Sequence, residues 1–180
     1  KSDKDYLKKQ VNYDILIKTP GIPKNKIKIP YTTATNLFFS EIKSRGNKII
    51  GVTGSKGKST TASLIYHMLK EAGKNVFLLG NIGIPMLSIL SQDVKDDAIF
   101  VLELSSYQLD DIKFSPNIEV ATNLFPEHMD FHGSLENYYN AKKNIFAFQT
   151  KNNHLIDRVK AKKIYHSNLL GQHNQDNIQA

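Results

Sequence analysis

The sequence predicts an α/β fold built on a doubly wound, mostly parallel sheet. Strand-like apolar runs alternate with helix-like amphipathic runs, and a glycine-rich stretch joins one buried run to a helix. With 40% hydrophobic and 23% charged residues, the 180-residue chain has a globular composition and can bury a sizeable core. The chain has no cysteine, no apolar run that could cross a bilayer and no signal-peptide pattern at its start, which together favour a cytoplasmic protein without a membrane partner.

The first predicted elements precede the glycine-rich stretch. Residues 11–17 (VNYDILI) predict a short strand, which the turn-rich sequence TPGIPKNK follows. Residues 36–45 predict a helix that leads into Gly46. Residues 48–53 (KIIGVT) have the continuous apolar character of a strand buried on both faces.

Beyond that strand, helices and strands alternate regularly. Residues 59–73 predict a helix that stops at Gly73, and its apolar face comprises Leu64, Ile65, Met68 and Leu69. Further strands are predicted at 76–80, 98–104 and 119–124, and further helices at 84–90 and 134–149, the last capped by Ser134. The tail from residue 151 is polar and predicts irregular structure.

The formal charge of +7 is concentrated at the two ends of the chain. Residues 1–48 carry 11 basic and 4 acidic side chains, residues 49–150 carry 8 and 11, and residues 151–180 carry 5 and 2. Nucleic-acid binding needs a basic face interleaved with aromatic residues or a recognisable module, and the sequence has neither. The charge therefore favours a solvated basic surface or a site for an anionic small molecule over a nucleic-acid partner.

The stretch GVTGSKGKST, residues 51–60, has the residue types of a phosphate-binding loop at an unusual spacing. The Walker pattern places a glycine five positions before the Gly57–Lys58 pair, where this chain has valine. Gly54 and Gly57 allow the backbone to curl so that its N–H groups face a phosphate at the positive end of the helix. Lys58 would reach the β- and γ-phosphates, and the Ser59 hydroxyl would hold Mg²⁺. A plain strand-to-helix turn with a solvated lysine is the alternative.

Two polar residues stand at the ends of later strands, where open parallel sheets bind ligands. Asn81 follows the strand at 76–80 and is equally consistent with a turn residue and a ligand contact. Glu103 is the one carboxylate of an otherwise apolar strand, so it needs a cation or hydrogen-bond partners. It could bind Mg²⁺ or its waters, or form a structural salt bridge.

Two features nearer the C-terminus leave function open. The polar cluster of Glu127, His128, Asp130 and His132 could ligate a metal, although its spacing matches no common zinc pattern and surface loops look similar. Lys142 falls on a helical stripe with Tyr138, Ile145, Phe146 and Gln149. Periodicity favours a lysine whose amine reaches water over one that points into a site.

Several segments taken together resemble the Mur ligases, the ATP-dependent enzymes that build the peptide of peptidoglycan precursors. The similar segments occur in the family's order, over residues 13–149 and 169–180: TGSKGKST, GNIGIP, LELSSYQL, NLFPEHMDFHG, AKKNIF and LLGQHNQDN. The first has the family's shortened glycine spacing. LELSSYQL is the most discriminating and is similar to the member that joins D-glutamate to UDP-MurNAc-L-alanine.

The resemblance implies roles for individual residues. It implies ATP binding by Gly54, Ser55, Lys56, Gly57, Lys58, Ser59, Thr60, Asn174 and Asn177. It implies Mg²⁺ sites served by Ser59, Glu103, His128 and Lys142, the last as a carbamate formed with CO₂, which reverses the preference for a solvated amine. Catalysis would rest on Lys58, Glu103, His128 and Lys142, and substrate contacts on Thr19, Asn81, Ser105 and Gln108. Substrates would be ATP, UDP-MurNAc-L-alanine and D-glutamate, joined through an acyl phosphate.

The resemblance also implies a division of the chain. Residues 1–35 would be part of an N-terminal UDP-substrate domain with its linker, and residues 36–180 an incomplete central ATP-binding domain. Because the family's C-terminal domain closes over the site, we expect this chain alone to turn over poorly. A folylpolyglutamate-type or other Mur ligase, and a non-catalytic P-loop module, are the alternative functions.

Overall fold

The computed structural model describes residues 7–157 of the chain. Within them a five-stranded sheet carries helices on both faces, and a separate two-stranded sheet lies near the N-terminus. The strands are β1 (Leu16–Lys18), β2 (Tyr31–Thr33), β3 (Lys48–Thr53), β4 (Val76–Gly80), β5 (Ile99–Glu103), β6 (Ile118–Ala121) and β7 (His154–Asp157). The α-helices are α1 (Ala34–Ser44), α2 (Lys58–Glu71), α3 (Met86–Ile89), α4 (Ser106–Leu109), α5 (Met129–His132) and α6 (Leu135–Lys143).

The large sheet has the order β4-β5-β3-β6-β7, and all of its neighbouring strands are parallel. Successive side chains of its central strands alternate between two cores. On one face Ile49 and Phe100 pack with Phe38 of α1, and on the other Val52 packs with Ala62 of α2. Because both faces are covered, the predicted doubly wound parallel sheet is confirmed.

The first part of the predicted strand at 11–17 is wrong. Residues Lys8–Asn12 form a 3₁₀ turn, and β1 begins only at Leu16. The buried Gln10 side chain holds this turn, since its Nε2 donates to Leu7 O and Lys26 O and its Oε1 accepts from Lys28 N. These hydrogen bonds fix the turn, so Val11 and Asn12 belong to it and not to a strand.

Two other predictions are wrong in detail. The tail from residue 151 is not wholly irregular, because His154–Asp157 pairs with β6 as an edge strand of the sheet. The exposed backbone of β6 supplies the partner that this polar segment needs. Met68 does not lie on the buried face of α2, since 63% of its surface is exposed.

The other predicted elements agree with the structure to within a few residues at each end. Strands β3 and β4 have the predicted bounds. Ser134 caps α6 by accepting a hydrogen bond from Asn137 N, although α6 ends at Lys143 and a 3₁₀ turn continues it. Among residues 7–157, no helix is long and apolar enough to span a membrane. The division of the chain at residue 35 stays a prediction.

Candidate active site

The carboxyl ends of β3, β4 and β5 face a cavity of about 390 Å³. Six residues predicted from sequence to act at a site line it: Lys58, Asn81, Ser105, Gln108, His128 and Lys142. Pro20, Gly21, Ser106 and Tyr107 complete the lining. Residues that are far apart in sequence therefore meet because parallel strands end at one edge of the sheet.

The glycine loop, residues 54–57, connects β3 to α2 in a backbone conformation that requires glycine. Gly54 has φ +146° and Gly57 has φ +83°, both outside the range of ordinary L-residues. A Cβ on Gly54 would overlap Thr122 Oγ1, so the loop also needs glycine for close approach. Gly57 precedes Lys58, the first residue of α2, and leaves that helix start without a side-chain cap.

The backbone of the glycine loop is held by the segment after β6. Ser55 N donates to Asn123 O at 2.7 Å, and Lys56 N donates to Asn123 Oδ1 at 2.8 Å. Lys56 O accepts from Asn123 Nδ2 at 2.9 Å and from Thr122 Oγ1 at 2.7 Å. The N–H groups of Ser55 and Lys56 are thus bonded within the protein, which leaves the first turn of α2 as the source of donors for an anion.

The lysine and hydroxyls that follow the loop lie at the start of α2. Lys58 Nζ donates to Ser55 O at 2.8 Å and lines the cavity. Ser59 is exposed and Thr60 is half-buried, and neither contributes to the lining. Of the three residues 58–60, which were expected to bind phosphate or Mg²⁺, Lys58 is the one that lines the cavity.

Glu103 ends β5 almost completely buried, with 1% of its surface exposed. Its Oε1 accepts from Asn81 Nδ2 at 3.1 Å, and its backbone oxygen accepts from Asn81 N at 3.1 Å. Its Oε2 has no hydrogen-bond partner among residues 7–157. No lysine, arginine or histidine in that range forms a salt bridge with Glu103, so the structural salt bridge considered from the sequence is not observed there. A buried carboxylate oxygen without a partner is costly, so the position suits a cation ligand.

Lys142 points into the protein, so the solvated amine that periodicity alone favoured is wrong, and the side chain has the inward direction that the family resemblance implied. The residue is 3% exposed, and its Nζ donates to Gly54 O at 2.7 Å. Burial, with a smaller effect from the charge of Lys58, lowers the pKa of Lys142 to about 8, although Glu127 acts in the opposite direction. The amine therefore carries a much larger neutral fraction near neutral pH than an ordinary lysine.

Tyr138 is a further residue at the loop that sequence reasoning missed. It lies one helical turn before Lys142, and its hydroxyl is 2.6 Å from Ser55 Oγ. Ser55 Oγ also accepts from Phe125 N at 2.8 Å. The i, i+4 spacing of Tyr138 and Lys142 indicates that they lie on the same face of α6. Periodicity does not indicate that this face contacts the glycine loop.

The polar cluster after β6 divides into separate roles. Glu127 pairs with Lys56 Nζ at 2.8 Å, and although burial raises the pKa of Glu127, the hydrogen bond and charge of Lys56 lower it overall. His128 has φ +56°, and its ring centre is 5.0 Å from that of Tyr107. His132 is buried, with Nε2 3.0 Å from Ser106 Oγ, and burial lowers its pKa. Asp130 is exposed.

Residues 7–157 lack the clustering of side chains that is typical of a preformed metal site. Among residues 7–157, no group of three or more His, Cys, Asp or Glu side chains could hold a metal ion. His128 and Glu103 therefore do not form such a site by themselves.

The candidate substrate residues are partly engaged with one another. Ser105 and Gln108 form a capping box at the start of α4, in which Ser105 N donates to Gln108 Oε1 at 2.9 Å. Thr19 is outside the cavity lining, whereas Pro20 and Gly21 of the same turn belong to it. Asn174 and Asn177 lie outside the described residues.

A family model described as "Mur ligase middle domain" matches residues 52–162 of the chain. The UDP-N-acetylmuramoylalanine–D-glutamate ligase of Acetivibrio thermocellus is 44% identical over 159 residues, which cover 84% of this chain and 33% of the relative. The ligase of the same name from Clostridium acetobutylicum is 45% identical over 159 residues, covering 84% and 34%. The chain thus spans about a third of the length of these curated relatives.

A solved structure has the same fold. The UDP-N-acetylmuramate:L-alanyl-gamma-D-glutamyl-meso-diaminopimelate ligase of Neisseria meningitides matches with a TM-score of 0.62, over 93% of this chain and 72% of that chain. Its sequence identity is 16%, so the likeness concerns the fold alone.

Proposed function

Because the chain belongs to the Mur ligase family, whose middle domain it contains, we propose that it is the nucleotide-binding part of a ligase that joins D-glutamate to UDP-MurNAc-L-alanine while ATP is converted to ADP and phosphate. The observation that carries the proposal is one convergence. Lys58, which directly follows the glycine loop, and the buried Lys142 line one cavity beyond the carboxyl ends of the central strands. Lys142 Nζ also donates to Gly54 O of the loop, and Asn81, which lines the same cavity, hydrogen-bonds the buried Glu103. The acceptor follows from the similarity to D-glutamate-adding relatives.

In the proposed reaction the protein contributes position and charge more than covalent chemistry. The carboxylate of UDP-MurNAc-L-alanine attacks the γ-phosphorus of ATP, the bond to the ADP oxygen breaks, and an acyl phosphate forms. The amine of D-glutamate then attacks the acyl carbon, phosphate leaves, and the amine loses a proton. Lys58 would neutralise charge on the transferred phosphoryl group from the start of α2, where the helix dipole adds to its effect.

The residues at the end of β5 fit a magnesium ion. Glu103 presents a buried carboxylate oxygen without a hydrogen-bond partner among the described residues, and Mg²⁺ prefers oxygen ligands of this kind. We assign Glu103 to the ion with Ser59, and His128 to the region of a second ion. When bound, Mg²⁺ would neutralise charge on the phosphates during transfer. Asn81 Nδ2 holds the other oxygen of Glu103 and so fixes the orientation of the carboxylate.

Lys142 would serve the same region as a carbamate. The ammonium group first loses one proton. The neutral amine then attacks CO₂, a C–N bond forms as one C–O π bond breaks, and a second proton is released to solvent, so that the original cation becomes an anion. The pKa of about 8, which burial lowers, favours the neutral amine that this reaction needs. The modified side chain would offer oxygen atoms to a cation, which the amine cannot do.

The substrate-side roles follow from the cavity lining. Asn81, Ser105 and Gln108 would contact the UDP-sugar-peptide. Ser105 and Gln108 would keep the hydrogen bonds between them while they contact the substrate. The turn that contains Thr19 would contribute through Pro20 and Gly21. Asn174 and Asn177 are assigned to the adenine side of ATP from the family resemblance.

The test uses the complete protein encoded by the reading frame that contains this chain. We expect phosphate release that requires ATP, Mg²⁺, UDP-MurNAc-L-alanine and D-glutamate together. Glu103→Gln and Lys142→Ala should each reduce it by roughly 100-fold or more, because each removes a charge from the reacting region. Lys74→Ala, at an exposed position beyond α2, is the matched control and should retain activity.

Other outcomes identify the alternatives. Turnover with L-lysine or diaminopimelate in place of D-glutamate would assign the chain to a different ligase of the family. Nucleotide binding without phosphate release, unaffected by Glu103→Gln and Lys142→Ala, would indicate a regulatory P-loop module instead.

A further inference from the structure

Lys18 is a buried lysine whose ammonium group holds a turn of the backbone. Its side chain is 1% exposed, and its Nζ donates to Ile22 O at 2.7 Å and to Thr19 O at 3.4 Å. Ile22 N in turn donates to Thr19 O at 3.2 Å and closes the turn. One charged group therefore satisfies two carbonyl oxygens of the segment 19–22.

The charge of Lys18 is balanced across the domain by Asp111, just after α4. Asp111 Oδ2 lies 2.6 Å from Lys18 Nζ, and the aspartate side chain is 3% exposed. This contact is an ion pair without a hydrogen bond at Oδ2, whereas the ammonium donates a hydrogen bond to Ile22 O. Asp111 Oδ1 accepts from Tyr31 OH at 2.8 Å.

The segment that carries Asp111 is itself fixed to the large sheet's helices. Asn36 Nδ2 of α1 donates to Asp111 O at 2.8 Å, and Asn36 Oδ1 accepts from Lys113 N at 2.8 Å. Burial, and then the hydrogen bond to Asp111, raise the pKa of Tyr31 to about 12, so the phenol stays a donor. Lys18 thus connects the turn to a rigid part of the molecule.

The position of this turn determines one wall of the cavity. Pro20 and Gly21 line it together with Ser105 and Gln108 from the start of α4. A buried ion pair contributes little net stability on average, but it can fix one arrangement among several. The neighbouring pair of Lys24 and Asp110 is different, because the Lys24 side chain is 56% exposed and touches neither carbonyl of the turn.

We propose that Lys18, paired with Asp111, is a positioning residue that holds the turn 19–22 as a wall of the cavity and thereby sets affinity for the UDP-sugar-peptide substrate. The substrate in this inference rests on the function proposed above. Lys18 lies in β1 and is absent from the cavity lining, so it acts through Pro20 and Gly21.

The kinetic test compares three variants of the complete protein. Lys18→Met should raise KM for UDP-MurNAc-L-alanine at least tenfold while KM for ATP stays within twofold and kcat within threefold. The double variant Lys18→Met/Asp111→Asn removes both charges, so it should regain thermal stability lost by the single variant yet keep the raised KM, because Ile22 O still lacks its donor. Lys24→Met is the control for loss of one positive charge and should keep both KM values within twofold.

A second measurement does not depend on the reaction. Hydrogen exchange at the Ile22 amide should be at least tenfold faster in the double variant than in the unmodified protein, while exchange in β3 is unchanged. If the unmodified protein releases no phosphate, the proposed function fails and this exchange rate alone decides whether Lys18 holds the turn. An unchanged exchange rate, or a double variant whose KM for the UDP substrate returns to within twofold of normal, overturns the proposal.

Discussion

The glycine loop after β3 and the segment 122–128 after β6 are hydrogen-bonded to each other but are built on different principles. The glycine loop has few side chains, and its two positive φ angles at Gly54 and Gly57 exclude other residues. The segment after β6 has no glycine, and it acts through the side chains of Thr122, Asn123 and Glu127. The first segment depends on the conformational freedom of glycine, and the second holds it in place through hydrogen bonds.

The difference shows that the loop does not hold its conformation alone. Ser55 and Lys56 each bond to Asn123, and Ser55 also bonds to Phe125. From the other side, α6 adds Tyr138 and Lys142. Within residues 54–58, Lys58 Nζ donates a hydrogen bond to Ser55 O. Substitutions in the segment after β6 or in α6 should therefore weaken nucleotide binding, and the effect should increase with the change in the conformation of the glycine loop.

The largest effect is expected from Gly54→Ala. The new Cβ would overlap Thr122 Oγ1 and would force a strained φ of +146°. Strain and overlap together should lower kcat/KM for ATP roughly 1,000-fold. Gly46→Ala is the control, because Gly46 has φ +81° but open space around it, and it should cost about 1 kcal/mol of unfolding free energy without this kinetic loss. Activity of Gly54→Ala within threefold of normal would contradict the close approach of the two segments.

The second effect concerns the pH dependence of stability in CO₂-free buffer. The folded-state pKa of Lys142, about 8, lies below its ordinary value of 10.5, so the folded protein loses this proton first as pH rises. Relative to Lys142→Met, the unmodified protein should gain stability as pH rises from about 8 to 10.5, by at most about 1.4 kcal/mol per pH unit. Denaturant unfolding at several pH values measures it.

The control for this pH effect is Lys143→Met, which changes an exposed lysine of the same helix. It should follow the profile of the unmodified protein. A Lys142→Met profile parallel to that of the unmodified protein would mean that the buried amine does not titrate in this range.

A smaller effect is expected from Asn123→Ala. It removes both side-chain hydrogen bonds to Lys56 and keeps the backbone bond to Ser55. The loss should be about 2 kcal/mol, or roughly 30-fold weaker ATP binding by calorimetry. Asn75→Ala removes an exposed amide that bonds Asp97 and should leave ATP affinity unchanged. Equal affinities for the two variants would show that the loop keeps its shape without Asn123.

The smallest effect is expected from Tyr138→Phe, which deletes one hydroxyl beneath the loop. Ser55 Oγ keeps its bonds to Phe125, so the change should cost about 1 kcal/mol, or roughly fivefold in ATP affinity. Tyr139→Phe, one residue further along α6, is the matched control. If both variants bind ATP alike, the Tyr138 hydroxyl has no part in holding the loop.

Sequence reasoning located most of the fold because the central strands are strongly patterned. The bounds of β3 and β4 and the Ser134 cap were all predictable from local residue types. Weakly patterned segments were not: β7 is polar and became a strand only because β6 offered a free edge. Likewise, the 3₁₀ turn Lys8–Asn12 takes in the first two residues of the predicted strand, and Gln10 holds this turn through a bond to Lys26, sixteen residues away.

At the site, sequence reasoning found residues whose chemistry is unusual for their position. Lys58 after a glycine pair and Glu103 in an apolar strand are examples, and the structure brings both to one edge of the sheet. It missed Thr122, Asn123 and Tyr138, because amides and hydroxyls are ordinary in loops and helices. Their role depends on which backbone atoms they reach, and no local pattern contains that information.

The sequence by itself determined the parallel sheet, the glycine loop and the set of chemically reactive side chains, because hydrophobic periodicity and glycine conformation are local properties. Tertiary structure alone decided the burial and direction of Lys142, the partners of the loop and the ion pair of Lys18 with Asp111. These features depend on distances between segments that are far apart in the chain. Burial then changed their chemistry, most clearly by lowering the pKa of a lysine that periodicity had placed in water.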